Sequence, residues 1–534
     1  MLVDSDSFLS PKRYLLSLEK SLNMLLSPIH NLIAALSTIP FSHASLTGLT
    51  PCDALISAGL SDRILTPLSP SYSTQLLTWY NTATRRHPWC IVLPHTSLEV
   101  SLVLTTLSAV GSGAGDWAIA VKSGGHGNDA SNNVDSGVTI DLQYLDSVDY
   151  YEHNGSASIG PGARWGDVYK RLGEQGGAVT GGRDANVGVG GFLLGGGMSY
   201  YTGRTGFGCD NVINFEVVLA SGDIINANAT SNDDLWRALK GGSSNFGVVT
   251  RFDLEAFPAR NLTYGQKTMS TEYEEEFVQA VFEFVERSEE HVNDALVPYY
   301  SYDAASEEIV MRAITVNTKA EPNTRAFDKV DIIPAIEPGL RTEMSLAEAA
   351  GGTLEGVVRG ISFTLTFKND LSILRRATEL HHEYVIQMSE LIGASNFTTL
   401  NFFQPLPSYF GAIEHRKVGN MLGLDHVNQN NILWVLGIGV LGGEDQQAIA
   451  HAKGANITAM VHDFAESVGG GNDLIYLNYA DASQDPIGSY GLENIQLIRD
   501  AAAKYDPAGF FQQRIPGGFK ISRVSSCAGT PCNH

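Results

Sequence analysis

Read for the spacing of its apolar side chains, the sequence changes texture along its length. Short apolar runs of strand length stand at 90–94, 117–121, 137–142, 215–219 and 248–254, bounded by Gly, Pro, Asn or Asp. Helical spacing between them predicts a helix from Ser97, read as its cap, to about Ala109, with Gly111 and Gly113 as stop signals. Another follows over 164–175, where Trp165, Val168, Tyr169 and Leu172 share a face and Gly176-Gly177 ends it. A short one runs from a Ser231 cap to Lys240, after a hairpin turn at Ser221-Gly222-Asp223. Residues 181–208 are so rich in glycine that no regular element is predicted there. Over 259–470, helices at 273–288, 371–392 and 445–467 are interspersed with strands at 295–303, 307–316, 360–367, 398–404 and 431–441. That mixture predicts an α+β fold with a broad sheet. A strand at 474–479 and a helix at 491–504, stopped by Asp506-Pro507, complete the pattern.

The 534 residues allow two to four domains. Hydrophobic residues make up 43%, charged residues 17%, and glycines number 55, which indicates a loop-rich globular enzyme rather than a disordered or fibrous chain. A formal net charge of -23 would repel nucleic-acid phosphates, so no nucleic-acid partner is expected. Among five cysteines, Cys52 with Cys90 is the best disulfide pairing and Cys527 with Cys532 a weaker one; both need an oxidising compartment. The apolar run 25–41 follows Lys12, Arg13 and Lys20 and precedes Ser42-His43-Ala44, so 1–44 reads as a secretory leader. Pro28 and His30 interrupt it, Met24 offers a tidier start, and an amphipathic helix is the other reading. Sequons at Asn154, Asn228, Asn261, Asn396 and Asn456 support secretion mildly. No other stretch is apolar enough to predict a membrane span.

Four segments carry candidate chemistry. Ser123-Gly124-Gly125-His126 leaves an apolar strand; the glycines free the backbone to turn and to bring its N–H groups against an anionic ligand such as a pyrophosphate. From Val187 to Gly197, six of eleven residues are glycine, yet Leu193 stands where the dinucleotide fingerprint needs its third glycine, so a nicotinamide site is disfavoured. A glycine run this dense, flanked by Val, Phe and Leu, fits a large flat ligand lying on bare backbone. Gly241 to Thr250 adds small hydrogen-bonding residues before a strand. Tyr476-Leu-Asn-Tyr479, read as strand, puts Tyr476 and Asn478 on one face and Tyr479 on the other; a tyrosine of lowered pKa can act as a base, although packing aromatics fit the spacing as well.

Together with Tyr505-Asp-Pro507 and Ile515-Pro516, these segments resemble the berberine-bridge-enzyme-like branch of the FAD-linked oxidases, of the vanillyl-alcohol-oxidase or p-cresol-methylhydroxylase (PCMH) type. The likeness spans about 52–521, and the fungal secreted members serving secondary metabolism are the most similar. It implies a two-part PCMH-type FAD-binding domain (85–258, completed by 471–521) under an α/β cap (259–470), with an N-terminal segment at 45–84 and a tail at 522–534. It implies that His126 bonds to the flavin. Asp184 stands where many members carry a second, cysteine tether, so that bond is expected to be absent. Ser123, Gly124, Gly125, Gly127, Asp184, Gly188, Gly190, Gly191, Gly195, Gly196, Gly247, Val249 and Asn478 are expected at the cofactor, with Tyr479 as base and Tyr476 as fallback. Phe402, Gln404 and Trp434 are expected to face the substrate. The implied activity is hydride transfer from a small organic molecule to FAD with reoxidation by O2, in a secreted monomer. A flavin-dependent cyclase without net redox turnover and a carbohydrate oxidase are the alternatives.

Overall fold

The computed structural model describes residues 46–110, 116–128, 130–351, 358–424 and 428–524. The expected leader, its Met24 start, the stop signals Gly111 and Gly113, and the Cys527–Cys532 pairing lie outside the described residues.

Strands β1 (Ile64–Leu65), β2 (Cys90–Val92), β3 (Ala118–Lys122) and β4 (Gly137–Asp141) form a sheet in the order β1-β2-β4-β3, with β4 parallel to both neighbours. Their sequences are continuously apolar because the strands are covered on both sides: Ile91, Val92, Ile119, Val138 and Ile140 are all fully buried. The helix Ser97–Val110 packs Val100, Val103, Leu104 and Leu107 into this core. Thr96, not Ser97, caps it: the Glu99 N–H donates to Thr96 Oγ1, and the Ser97 hydroxyl reaches Glu216 instead. A disulfide ties Cys52 to Cys90 on β2, and Cys209 is a buried free thiol.

A second, antiparallel sheet comprises β5 (Val148–Tyr151), β6 (Ser156–Ile159), β7 (Gly177–Val179), β8 (Val212–Val218), β9 (Ile224–Asn228) and β10 (Val248–Pro258), with β10 paired to β6, β7 and β8. The helix Trp165–Glu174 buries its expected face against it. The short helix after β9 spans Asp233–Leu239 and starts behind Asn232, which has a positive φ of 51°; Ser231 does not cap it. The glycine-rich stretch contains two short helices, Val189–Leu194 and Thr202–Thr205, which corrects the expectation of no regular element. The apolar residues among the glycines explain the first: Val189 and Leu193 are fully buried.

The third sheet is wholly antiparallel. It comprises β11 (Leu262–Ser270), β12 (Asp294–Asp303), β13 (Glu308–Asn317), β14 (Thr342–Met344), β15 (Arg359–Lys368), β16 (Phe397–Leu406), β17 (Asn431–Val440) and β18 (Gly471–Asn472), ordered β14-β11-β13-β12-β16-β17-β15-β18. Alternation gives each strand two faces. Tyr300, Phe363, Phe403 and Trp434 pack with the helices Glu274–Glu286, Leu371–Ile392 and Glu444–Ser467. Val297, Val316, Leu406 and Leu433 join the core that holds β8, β10 and the glycine-rich segment. Trp434 therefore sits among the helices, which corrects the expectation that it faces a substrate. The helix Leu371–Ile392 forms where apolar residues recur three and four apart, from Ile373 and Leu374 to Met388 and Ile392. Asp370 caps it by accepting from the Ser372 and Ile373 N–H groups, and Gly393, with φ of 89°, ends it.

The expected strand at 474–479 is also corrected. Pairing stops at Asn472, whose Oδ1 accepts from the Leu474 N–H and turns the chain out of the sheet. A 3-10 turn at Leu477–Tyr479 follows. The helix Leu492–Tyr505 then leads into a segment that folds back over residues 244–245. Asn245 Nδ2 donates to the Phe519 carbonyl, the Ile521 N–H and Gln512 Nε2 donate to Asn245 Oδ1, and Lys520 Nζ donates to the Ser244 carbonyl.

Burial holds the Lys520 ammonium down at about 7 and that of Lys240 at about 8. Between those values and the ordinary lysine range, the unfolded chain binds protons that the folded chain does not. Stability therefore rises with pH across that window. Buried Tyr169, Tyr476 and Tyr490 are pushed the other way, so above about pH 10, the ordinary tyrosine value, the unfolded chain loses protons first and stability falls. Denaturant midpoints measured from pH 7 to 11 should pass through a maximum between 9 and 10.

Candidate functional site

The four segments singled out in the sequence meet. The Gly190 N–H donates to Ser123 Oγ at 3.1 Å, and that hydroxyl donates onward to the Pro161 carbonyl at 2.5 Å. Gly124 and Gly188 lie so close that a Cβ on Gly124 would stand 2.4 Å from the Gly188 Cα; nothing larger than glycine fits either position. Arg164 locks the crossing, donating to the carbonyls of Thr78, Gly124 and Asn186. The Ser243 N–H donates to the Leu194 carbonyl, which brings in the third segment. Asn478 Nδ2 donates to the Phe192 carbonyl and the Gly197 N–H to the Tyr476 hydroxyl, which bring in the fourth. Gly195 is required by Asn478, since a Cβ there would meet Asn478 Oδ1 at 2.1 Å; Gly196 leaves room for the Tyr476 ring.

His126 projects from this crossing. Its ring stacks on Tyr80, centroids 4.2 Å apart and planes 15° apart, and the Tyr80 N–H donates to the Gly125 carbonyl. Its Nε2 is buried and has no hydrogen-bond partner among the described residues. Burial holds the imidazole below its usual range, and the Asp184 carboxylate nearby opposes that shift. Behind the loop, Lys122 Nζ pairs with Asp141 at 2.9 Å, with both side chains almost wholly buried, and stands over the Trp79 ring.

Under the broad sheet, Tyr476 and Tyr479 meet edge to face, 4.9 Å between centroids. Their surroundings differ. Tyr476 is fully buried, and burial pushes its phenol far above the usual range. Tyr479 is half-buried, and its hydroxyl accepts from Arg183 Nη2 at 2.9 Å. Arg183 Nη2 also donates to Gln404 Oε1 at 2.6 Å. Ser362 on β15 holds the Tyr479 carbonyl. Gln404 and Phe402 thus lie on the face of β16 turned toward the glycine-rich segment.

Other expected residues stand apart from this crossing. Gly127 is exposed, Gly191 has open space around its Cβ position, Gly247 immediately precedes β10, and Val249 lies within β10 in the core. Asp184, by contrast, lies near enough for its carboxylate to bear on His126, and its Oδ1 accepts from the Asn186 N–H. Sequence reading missed Tyr80, Arg164, Arg183 and the Lys122–Asp141 pair. Adjacency was the available signal for two of them, since Arg183 precedes Asp184 and Lys122 precedes Ser123.

These residues fit FAD: a glycine backbone too bare to serve packing alone, and an imidazole nitrogen that is buried and unengaged. The sequence comparisons agree. Residues 88–228 match a family model described as FAD binding domain. The FAD-dependent monooxygenase drtC of Aspergillus calidoustus is 34% identical over 479 residues, 89% of this chain and 90% of that protein. The FAD-dependent monooxygenase sdcF of Emericella nidulans is 31% identical, covering 89% and 98%. Among solved structures, berberine bridge enzyme from Eschscholzia californica superimposes with a TM-score of 0.66 at 18% identity, over 88% of this chain and 100% of that one. The xylooligosaccharide oxidase of Myceliophthora thermophila gives 0.68 at 19%, over 88% and 99%. Fold and site thus define an FAD-dependent oxidoreductase. The chain belongs to the family of its fungal FAD-dependent monooxygenase relatives, and it shares the fold of berberine bridge enzyme.

Proposed function

We propose that the enzyme is an oxidase whose FAD is bonded covalently through His126, with Tyr479 taking the substrate's proton. The buried, unengaged Nε2 of His126 carries this reading: a polar atom left without a partner in the interior is costly unless a ligand completes it. Ser123, Gly124, Gly125, Gly127, the glycines from Gly188 to Gly196, Gly247, Val249 and Asn478 would hold the cofactor. Asp184, in place of a cysteine, fits a single tether. The chemistry FAD supplies when bound is two-electron acceptance from a carbon–hydrogen bond, with the electrons returned to molecular oxygen as hydrogen peroxide. Tyr479 suits the proton better than Tyr476, whose hydroxyl is taken by the Gly197 N–H and whose burial opposes ionisation. Arg183, donating to Tyr479, supplies a positive charge beside the phenolic oxygen. The Cys52–Cys90 disulfide supports residence in the secretory pathway or outside the cell.

Acid precipitation tests the tether. The parent protein should give a yellow pellet, whereas His126→Ala should release its flavin to the supernatant. A yellow His126→Ala pellet would rule out the assignment. The relatives' name favours a second reading, insertion of one oxygen atom into the substrate; turnover under labelled O2 separates the two, since only insertion labels the product.

A further inference from the structure

The broad sheet closes on a strand left open along most of one edge. β15 pairs with β17 from Arg359 to Lys368, but on its other side β18 covers it only at Thr366 and Phe367. An open strand edge carries a row of backbone N–H and C=O groups that need partners. Here two side-chain amides supply them. Gln484 Oε1 accepts from the Thr364 N–H at 3.2 Å, and its Nε2 donates to the Thr364 carbonyl at 2.6 Å. Asn81 Oδ1 accepts from the Gly360 N–H at 3.1 Å, and its Nδ2 donates to the Gly360 carbonyl at 2.9 Å. Each amide copies the double exchange of a hydrogen-bonded strand pair, since it carries a donor and an acceptor side by side. Each also holds one end of the candidate site. Gln484 Oε1 accepts a second bond from the Asp481 N–H, and His451 Nε2 meets Asp481 Oδ1 at 3.0 Å. Ser362, between the two clamps, donates its hydroxyl to the Tyr479 carbonyl. At the other end, Asn81 follows Tyr80, whose ring stacks on His126, and Asn81 Nδ2 also donates to the carbonyl of Asn128, two residues beyond His126. The Thr82 N–H adds a rung at the Val358 carbonyl. Gly360 and Thr364 are about 13 Å apart, at roughly 3.3 Å per extended residue.

We propose that the open edge of β15 is the spacer that sets Tyr479 relative to His126, with Gln484 and Asn81 as the positioning residues that transmit it. Its consequence for the reaction rests on the reading of His126 as tether and Tyr479 as base; the spacing itself does not. A continued β18 would fill this edge, whereas two amides leave the stretch between them open for the Ser362 hydroxyl to reach the Tyr479 carbonyl. Groups that must be held to a fraction of an ångström are fixed by such a supporting layer of hydrogen bonds.

Fluorine NMR of the holoenzyme labelled with 3-fluorotyrosine tests it, with Tyr479→Phe and Tyr80→Phe assigning the two resonances. Gln484→Glu keeps the shape but cannot donate to the Thr364 carbonyl. It should shift or broaden the Tyr479 resonance and leave that of Tyr80 in place. Asn81→Asp should do the reverse, and should lower the acid-stable flavin fraction about twofold or more. Gln484→Ala and Asn81→Ala remove the amides without adding a charge and should give the same pattern, which separates loss of the clamp from disruption by a carboxylate. In all four variants the remaining tyrosine resonances should stay where the parent has them. Tyr479 and Tyr80 resonances unmoved, a response to only one of the clamps, or resonances scattered across the whole spectrum in all four variants would each overturn the proposal, the last because the amides would then serve the fold at large. So would an undiminished yellow pellet from both Asn81 variants. A colourless acid pellet from the parent would sink the tether reading, and full peroxide release by Tyr479→Phe would sink the base reading; in either case the two resonances still decide the spacer.

Discussion

Tyr479→Phe should lower turnover by about 10²- to 10⁴-fold, the usual contribution of a positioned acid–base group, with flavin content and melting temperature close to those of the parent. The substitution removes only the hydroxyl that Arg183 contacts. It leaves the ring against Tyr476 and the backbone bond to Ser362 in place. Peroxide release with any substrate the parent oxidises measures the effect, and anaerobic flavin bleaching isolates the reductive half. The neighbouring Tyr476→Phe should behave oppositely. It strips the Gly197 N–H of its acceptor inside the core, at a cost of about 1–3 kcal/mol, and should act on stability more than on rate. If the two variants exchange these phenotypes, the roles of the tyrosines are reversed.

The second large effect belongs to a pair that touches no substrate. Asp141→Asn leaves the Lys122 ammonium buried without its counter-charge, a situation that costs about 3–5 kcal/mol. Lys122 immediately precedes the Ser123-to-His126 loop, its carbonyl is held by the Leu142 N–H, and its ammonium stands over Trp79, next to the Tyr80 that stacks on His126. The loss should therefore reach the cofactor, lowering the acid-stable flavin fraction together with the denaturant midpoint. Replacing both partners by apolar residues, Lys122→Met with Asp141→Leu, should recover much of the stability, because no lone charge remains. A double variant as unstable as Asp141→Asn would show that the pair matters for something other than its charges.

What could be read from the sequence followed the range of the interactions. The helices at 371–392 and 445–467 and the strands at 295–303 and 431–441 announce themselves through local periodicity, and the structure puts them within a residue or two. The glycine cradle was legible for a different reason: bare backbone at such density has few uses. The segment 474–479 was misread because its apolar and aromatic residues have strand composition, while one Asn side chain ends the pairing. Arg183 was invisible. Its partner Tyr479 lies 296 residues further along the chain, and no local pattern encodes that meeting. Trp434 was misplaced by one step of alternation, since a strand buried on both faces gives no polar residue to mark which side is which.

The fold-back of Gln512, Phe519 and Ile521 onto Asn245 has a temporal side. Asn245 leaves the ribosome 276 residues ahead of Ile521. At about 5–20 residues per second, the nascent loop waits on the order of 15–55 s for its clasp. Throughout that interval the glycine crossing exists without its closing strap. The clasp on Asn245 is thus among the last contacts that synthesis of the chain makes available.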